Sequence, residues 1–426
     1  MLGLTQNYIT PLALELKASS VQIGLLSSMP SFAMAISQLA SPDLSERAGS
    51  RKGLILPVVF LHAVMFIPIL LVPYFFNISP VWWLIGFVTV SVVLGAIANP
   101  AWGSMMADLV PTRLRGRYFG SRGRIAGFIT LVFQFIGGGI LQLFTGTIYT
   151  GYTILFAGAA MFRLLSFFFL SRQYEPVQVR SKEKGPNLLE MIKKAGSSNL
   201  GKFMLYFSLV DFCALISAPF FAVFMLRDLN FSYITYVIVS SSAQISTLVF
   251  LTFWGRRADV VGNLKVIRIT SMILPIVPIL WIFNENVFYL VAANIVSGFA
   301  WSGFGLAGVN FAYEASEPEN RTKQLAIFGA MDGIACCLGA LIGGYITPHL
   351  PVLFTYQLRT LFIISGMLRG IVVIFMQRKI KEVRRVSEIS DWELIMGRTG
   401  NKRGEKVGRK YSFRSKKNTD KQDGSS

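Results

Sequence analysis

Pro42-Asp43-Leu44-Ser45-Glu46-Arg47-Ala48-Gly49-Ser50-Arg51-Lys52 is a short charged stretch between two long apolar blocks, 19–41 and 53–76. Far downstream, Gly255-Arg256-Arg257-Ala258-Asp259-Val260-Val261-Gly262-Asn263-Leu264-Lys265 stands between the apolar blocks 231–254 and 266–284. Each stretch runs acid, two residues, glycine, then a base. Glycine permits a tight turn, and an acid beside arginines can lock two helix ends in one state and release them in another. Glu46, Arg47, Gly49 and Arg51 in the first copy, and Gly255, Asp259 and Gly262 in the second, are therefore expected to gate.

Two further echoes follow in the same order. Tyr118-Phe119-Gly120 with Ile125-Ala126 opens one apolar block, and Ile327-Phe328-Gly329 with Ile334-Ala335 opens another. Ala101-Trp102-Gly103 is matched by Ala300-Trp301-Ser302. Three echoes in one order point to duplicated halves. The blocks themselves run 1–17, 19–41, 53–76, 81–110, 125–147, 151–171, 203–226, 231–254, 266–284, 286–314, 324–346 and 355–377. Roughly 20 apolar residues cross about 30 Å of hydrocarbon as a helix. In lipid each backbone amide must find its partner inside the span, so such blocks must be helical. The chain is 53% hydrophobic and 15% charged, beyond the usual balance of a soluble domain. The expected fold is an all-α polytopic membrane protein of about twelve transmembrane helices in two six-helix pseudo-repeats.

The net charge of +19 is concentrated between the blocks. Arg47, Arg51, Lys52, Arg113, Arg115, Arg117, Arg256, Arg257, Lys265, Arg321 and Lys323 all fall in alternate loops. The other loops, such as Asn77–Pro80 and Asn284–Asn286, are bare, with Lys17 and Arg227 as exceptions. The positive-inside rule then puts the basic loops and both termini in the cytoplasm of a multi-pass cell-membrane protein. The expected organisation is a bundle over 1–171, a polar cytoplasmic linker over 172–202, a second bundle over 203–377 and a basic, largely disordered tail over 378–426. The tail is suited to anionic lipid, at about 1 kcal/mol per surface Lys or Arg. Met1 to Lys17 reaches only about 25 Å as a helix. A chain beginning part-way through its first helix and a short first helix are both open on that length.

On these loops and repeats the chain resembles the major facilitator superfamily over essentially all its spans. The carrying residues are Glu46-Arg47-x-Gly49-x-Arg51 and Gly255-x3-Asp259-x2-Gly262. The family pattern has a glycine four positions before the acid; Gly255 fits, whereas Pro42 occupies that place in the first copy and Ser50 replaces the usual base. The resemblance implies alternating access between the halves, with spans one, four, seven and ten lining a cavity.

On those four spans the polar and aromatic candidates for a substrate cavity are Gln6, Asn7, Thr10, Asn99, Trp102, Ser208, Asp211, Asn294 and Trp301. Asn294 and Trp301 share a helix face at a seven-residue spacing. An aromatic beside amides suits a sugar, an amino acid or a flat drug-like molecule. Ionisable groups inside spans cost about 2.5–3.5 kcal/mol on insertion scales, so each needs a role. Asp211 reads either as a proton- or cation-binding carboxylate or as half of a structural ion pair. Asp332 is expected to meet the Arg47 loop as a gate contact, and Arg369 to snorkel to the interface or pair structurally.

Other chemistries find little footing. Gly303-Phe304-Gly305-Leu306-Ala307-Gly308 fits a dinucleotide pattern but lies inside a span with no preceding strand. His62 and His349 are the only histidines, and Cys213, Cys336 and Cys337 make no metal spacing, so no metal and no cofactor are expected. No nucleophile–base constellation suggests an enzyme, and no stacking platform accompanies the charge to suggest a nucleic-acid partner. The expected function is a secondary transporter (a permease) for a small solute, with protons as a further partner through Asp211. The alternative is a non-transporting sensor or assembly protein on the same scaffold, with the tail as its output.

Overall fold

The computed structural model describes residues 1–47, 49–111, 114–176, 198–317, 321–353 and 355–383. The side chains of 38–47, 107, 115, 116, 322 and 323 are outside the described set, which includes those of Glu46 and Arg47. Most of the linker and tail read from the sequence also lie outside it.

Helices follow one another with short connections. Ten described helices are long and apolar enough to cross a membrane. The first half holds Arg51–Phe75 and Pro80–Leu109 as spans three and four, and Arg115–Leu143 and Ile148–Ser171 as spans five and six. The second half holds Asn199–Asp228, Tyr233–Val261, Asn263–Phe283, Val287–Ala315, Arg321–Ile346 and Gln357–Met376 as spans seven to twelve. Two segments complete the sequence. Span two is one helix, Ser20–Arg47, diluted by serines. Span one is short and split into Leu2–Thr5 and Ile9–Glu15.

Prolines explain the breaks, because each removes a donor to the carbonyl four residues earlier. Pro11 leaves the Asn7 carbonyl free, and Tyr236 Oη of span eight donates to it at 2.8 Å. Pro68 accompanies the break at Met65 in span three. Pro278 frees the Leu274 carbonyl at the break in span nine, and Arg369 Nη1 of span twelve donates to it at 3.2 Å. Arg369 therefore does not snorkel: it is 2% exposed and points into the second half. Its Nη2 also donates to the Ala214 carbonyl, Ser217 Oγ and Ser365 Oγ at 3.3, 3.0 and 3.1 Å.

Only two glycines among the described residues have positive φ, and they are the motif glycines of the two halves, Gly49 at 66° and Gly262 at 88°. Nothing would crowd a Cβ at Gly49, so backbone conformation alone demands glycine there. Gly262, with ψ of 158°, lies in a region other residues rarely enter. Gly262→Ala is expected to lower stability by about 1–2 kcal/mol, read as a lower melting temperature, with Gly49→Ala changing it in the same direction.

The halves meet mainly toward the bare-loop end. Spans two and eleven approach at Gly24 and Gly344, where a Cβ on Gly24 would lie 2.8 Å from the Gly344 Cα. Spans five and eight approach at Gly138, where a Cβ would lie 2.7 Å from Val237 Cγ2. Small residues permit such contacts between spans. Beyond them, Tyr233 Oη donates to Glu15 Oε1 at 2.6 Å and lies 3.3 Å from Tyr152 Oη, tying span eight to spans one and six. Toward the basic end, residues 122–126 of span five are all exposed. Five consecutive residues exceed one helical turn, so no face of that stretch is buried, and Arg122 reaches out to stack on Trp102 of span four.

Candidate functional site: a polar central cavity and a carboxylate pair

Two adjoining cavities, of about 260 and 420 Å³, lie where the halves meet and share Gln6, Asn7, Ser240 and Ser297 in their walls. Gln6 and Asn7 reach the wall because span one is interrupted between Thr5 and Ile9. The smaller cavity is lined by Thr10, the proline break of span seven at Ala218-Pro219, Tyr236, Trp281 and Asn294. The larger is bounded by Thr130 and Gln134 of span five, Gln244 and Thr247 of span eight, and Trp301. Asn294, Ser297 and Trp301 make a stripe along span ten, so the expected pairing at seven residues falls on the two cavities in turn.

Gln6, Asn7, Thr10, Asn294 and Trp301 thus come together. Asn99, Trp102, Ser208 and Asp211 do not line either cavity. Asn99 is exposed, and Trp102 sits nearer the basic end, with the Arg122 guanidinium 4.1 Å above its ring and Phe119 edge-on. Spans five and eight supply wall residues where span four was expected. Gln134 and the run Ser240-Ser241-Ser242-Ala243-Gln244 were readable as polar groups inside apolar spans. The expectation of a wall from spans one, four, seven and ten passed over them.

Ser208 and Asp211 lie instead against span eleven. Side-chain atoms of Asp211, Asp332 and Cys336 are all within 4.8 Å of one another. Gly339 and Gly343 allow this approach, since a Cβ on either would fall 2.2 Å from the Phe212 carbonyl or 2.1 Å from that of Ile216. Asp211 Oδ1, Asp332 Oδ1 and Ser208 Oγ are sealed from solvent and make no hydrogen bond of good geometry, with one another as their nearest polar partners. The Arg369 charge acts on Asp211. Asp332, expected at the Arg47 loop, is placed in this cluster by its depth in span eleven.

The gate residues divide. Arg51 is buried, and its Nη1 makes a 2.6 Å ion pair with Asp108 of span four, inside its own half. Asp259 is exposed, and Gly255 packs near Leu306. The sequence reading missed a pair of carboxylate caps. Glu175, just after span six, accepts from Ser50 Oγ at 2.7 Å and from the Arg51 and Lys52 amides at 2.6 and 3.2 Å, at the start of span three. Glu382, just after span twelve, accepts from the Leu264 amide at 2.9 Å at the start of span nine. Each supplies an acceptor and a negative charge where a helix presents unpaired amides. The signal was an acid a few residues beyond the last span of each half.

Partial burial pushes the Glu175 carboxyl up, but the hydrogen bonds from Ser50, Lys52 and Arg51 and the Arg51 charge outweigh it and hold the group below its ordinary range. A depressed folded value adds stability above the unfolded value of about 4.3 and loses it as pH falls through the folded one. The melting-temperature gap between wild type and Glu175→Gln is expected to close below about pH 4.

Two helical bundles with a polar cavity between them, made of helices long and apolar enough to cross a membrane, define an integral membrane protein. The chain belongs to the major facilitator superfamily: the family profile matches residues 2–221 and again 203–398. Over 93 residues it is 27% identical to an MFS-type transporter of Aspergillus terreus, covering 21% of this chain and 16% of that one. Over 144 residues it is 23% identical to the efflux pump dotC of Dothistroma septosporum, covering 34% of this chain and 24% of the pump. The chain thus matches about a quarter or less of the length of these curated relatives. Among solved structures, the nucleoside transporter NupG superposes with a TM-score of 0.69 at 16% identity, covering 89% of this chain and 96% of that one. A D-xylose–proton symporter superposes with a TM-score of 0.69 at 14% identity, covering 91% and 97%.

Proposed function

We propose that the protein is a secondary transporter that carries a small solute through the central cavity by alternating access. The observation that carries this reading is a polar cavity between the halves, bounded toward the bare end by inter-half bonds such as Tyr236 to Asn7 and Tyr233 to Glu15. With the basic loops in the cytoplasm, this is an inward-open state. Opening to the other side requires those tyrosine bonds to break while the basic ends close. Family membership and neighbours that include a nucleoside transporter and a sugar–proton symporter support transport.

The coupling ion in this proposal is a proton held by Asp211 and Asp332. Two carboxylates this close in a buried site do not both stay ionised without a cation. The Arg369 guanidinium balances one negative charge, and a single proton balances the other. A divalent metal would leave the trio with excess positive charge.

Ser240→Cys, in a background without Cys213, Cys336 and Cys337, tests the cycle by alkylation with a membrane-impermeant maleimide. Labelling is expected from the basic face. Replacing the lock with Tyr233→Phe and Glu15→Gln is expected to raise labelling from the bare face roughly tenfold, since a hydrogen bond to a charged group contributes about 1.5–3 kcal/mol. Equal labelling from both faces, unmoved by the lock variants, would refute alternating access.

A further inference from the structure

Among the described residues, the walls of the two cavities contain no Asp, Glu, Lys, Arg or His side chain. From this we propose that the site takes an uncharged, hydroxyl-bearing ring solute, of which a sugar and the ribose of a nucleoside are two sources, and rejects carboxylates, phosphates and ammonium ions. The inference rests on the central-cavity reading above and narrows it to a substrate class.

Charge sets the first boundary. An ion entering this cavity gives up part of its water and meets no side-chain countercharge on the walls, which opposes its binding. The buried charges of the carboxylate cluster, Asp211, Asp332 and Arg369, lie off both walls. A zwitterionic amino acid, open on the sequence alone, meets the same penalty at two groups.

Hydrogen bonding sets the second. Gln6, Asn7, Gln134, Gln244 and Asn294 each bring an amide, which offers both donors and acceptors. Hydroxyl groups also do both, so they match such a wall better than groups that only accept. Gln134 makes the demand specific. It is 1% exposed, its Nε2 donates to Ser240 Oγ at 3.4 Å, and its Oε1 is buried with no partner. A buried acceptor left unpaired is unfavourable, and a small rotation of the Gln134 amide toward the cavity it lines would bring this atom to an O–H or N–H of the solute.

Shape sets the third. Trp281 bounds one cavity and Trp301 the other, and an indole plate suits the flat C–H face of a ring. The larger volume, about 420 Å³, is in the lower part of the range of roughly 300–1,000 Å³ for small-molecule pockets, which favours one or two rings over a bulky lipophile.

The test is ligand-induced thermal stabilisation of the full chain in detergent with charge-matched probes. Methyl glucoside is compared with glucuronate and glucose 6-phosphate, uridine with uridine monophosphate, and tetraphenylphosphonium represents lipophilic cations. An uncharged probe is expected to raise the melting temperature while its charged partner does not, and the free glycoside and the nucleoside arms separate the two sources. Gln134→Leu is expected to weaken that probe roughly tenfold, as one lost hydrogen bond should. Its melting curve without ligand reports folding, and Gln134→Asn serves if leucine is not tolerated. Equal protection by a charged partner, protection by the lipophilic cation alone, no protection by any uncharged probe, or unchanged affinity in the Gln134 variants would each overturn the proposal. Alkylation of Ser240→Cys needs no solute, so a failure of alternating access is seen separately from a failure of this substrate class.

Discussion

Arg369→Met is expected to lower stability by about 3–5 kcal/mol, the range seen when one partner of a buried charge group is removed. Methionine fills much of the same volume, so the loss comes from polar groups. The Leu274 carbonyl, already without its helical donor because of Pro278, loses the Arg369 Nη1 bond. Ser217 Oγ and Ser365 Oγ lose a donor each, and Asp211 loses the positive charge that acts on it. If the charge on Asp211 carries much of the effect, Arg369→Met combined with Asp211→Asn should recover about 0.5–3 kcal/mol relative to additivity. Thermal melts of the two single variants and the double variant measure this directly. Full additivity would mean that Arg369 acts only through its carbonyl and hydroxyl contacts.

Asp211→Asn is expected to abolish solute accumulation driven by a pH gradient while sparing solute exchange. The physical ground is that asparagine keeps the shape and cannot take or release a proton, while Asp332 remains to balance Arg369. Proteoliposomes with an imposed pH gradient, loaded with whichever uncharged probe stabilises the protein, provide the assay. Under a gradient of about one pH unit, accumulation should fall about tenfold, to the downhill level, because one coupled proton supplies about 1.4 kcal/mol per pH unit. Exchange under equal pH should remain within about twofold, since the residue does not line the cavity. Undiminished accumulation in both Asp211→Asn and Asp332→Asn would remove the pair from the coupling step.

Several tertiary features follow directly from local sequence. Pro11, Pro68, Pro219 and Pro278 stand at helix breaks, whereas Pro57, Pro73 and Pro100 lie inside continuous helices, and the two motif glycines stand at the two positive-φ glycine turns. Five cavity residues on spans one and ten were readable from their polarity on apolar helices. Gln134 and Gln244 were equally visible as lone amides, but a plan imported from a family resemblance directed attention to other spans. Asp332 was misjudged for a different reason. Its sequence neighbourhood of small residues signals close packing, and nothing local says which span packs there.

Composition and the lengths of the apolar blocks determined that this is a helical membrane chain, because the cost of an unpaired amide in hydrocarbon leaves no alternative to helix, and the three repeated motifs pointed to its duplicated halves. Which helices meet was decided only in three dimensions. Glycine contacts between spans seven and eleven bring Asp211 to Asp332, and the Asn7–Tyr236 bond ties span eight to the broken first helix. These pairings join residues far apart in the chain through packing that several partners satisfy equally well on local grounds, so the carboxylate pair and the uncharged cavity emerge only when the two bundles are assembled.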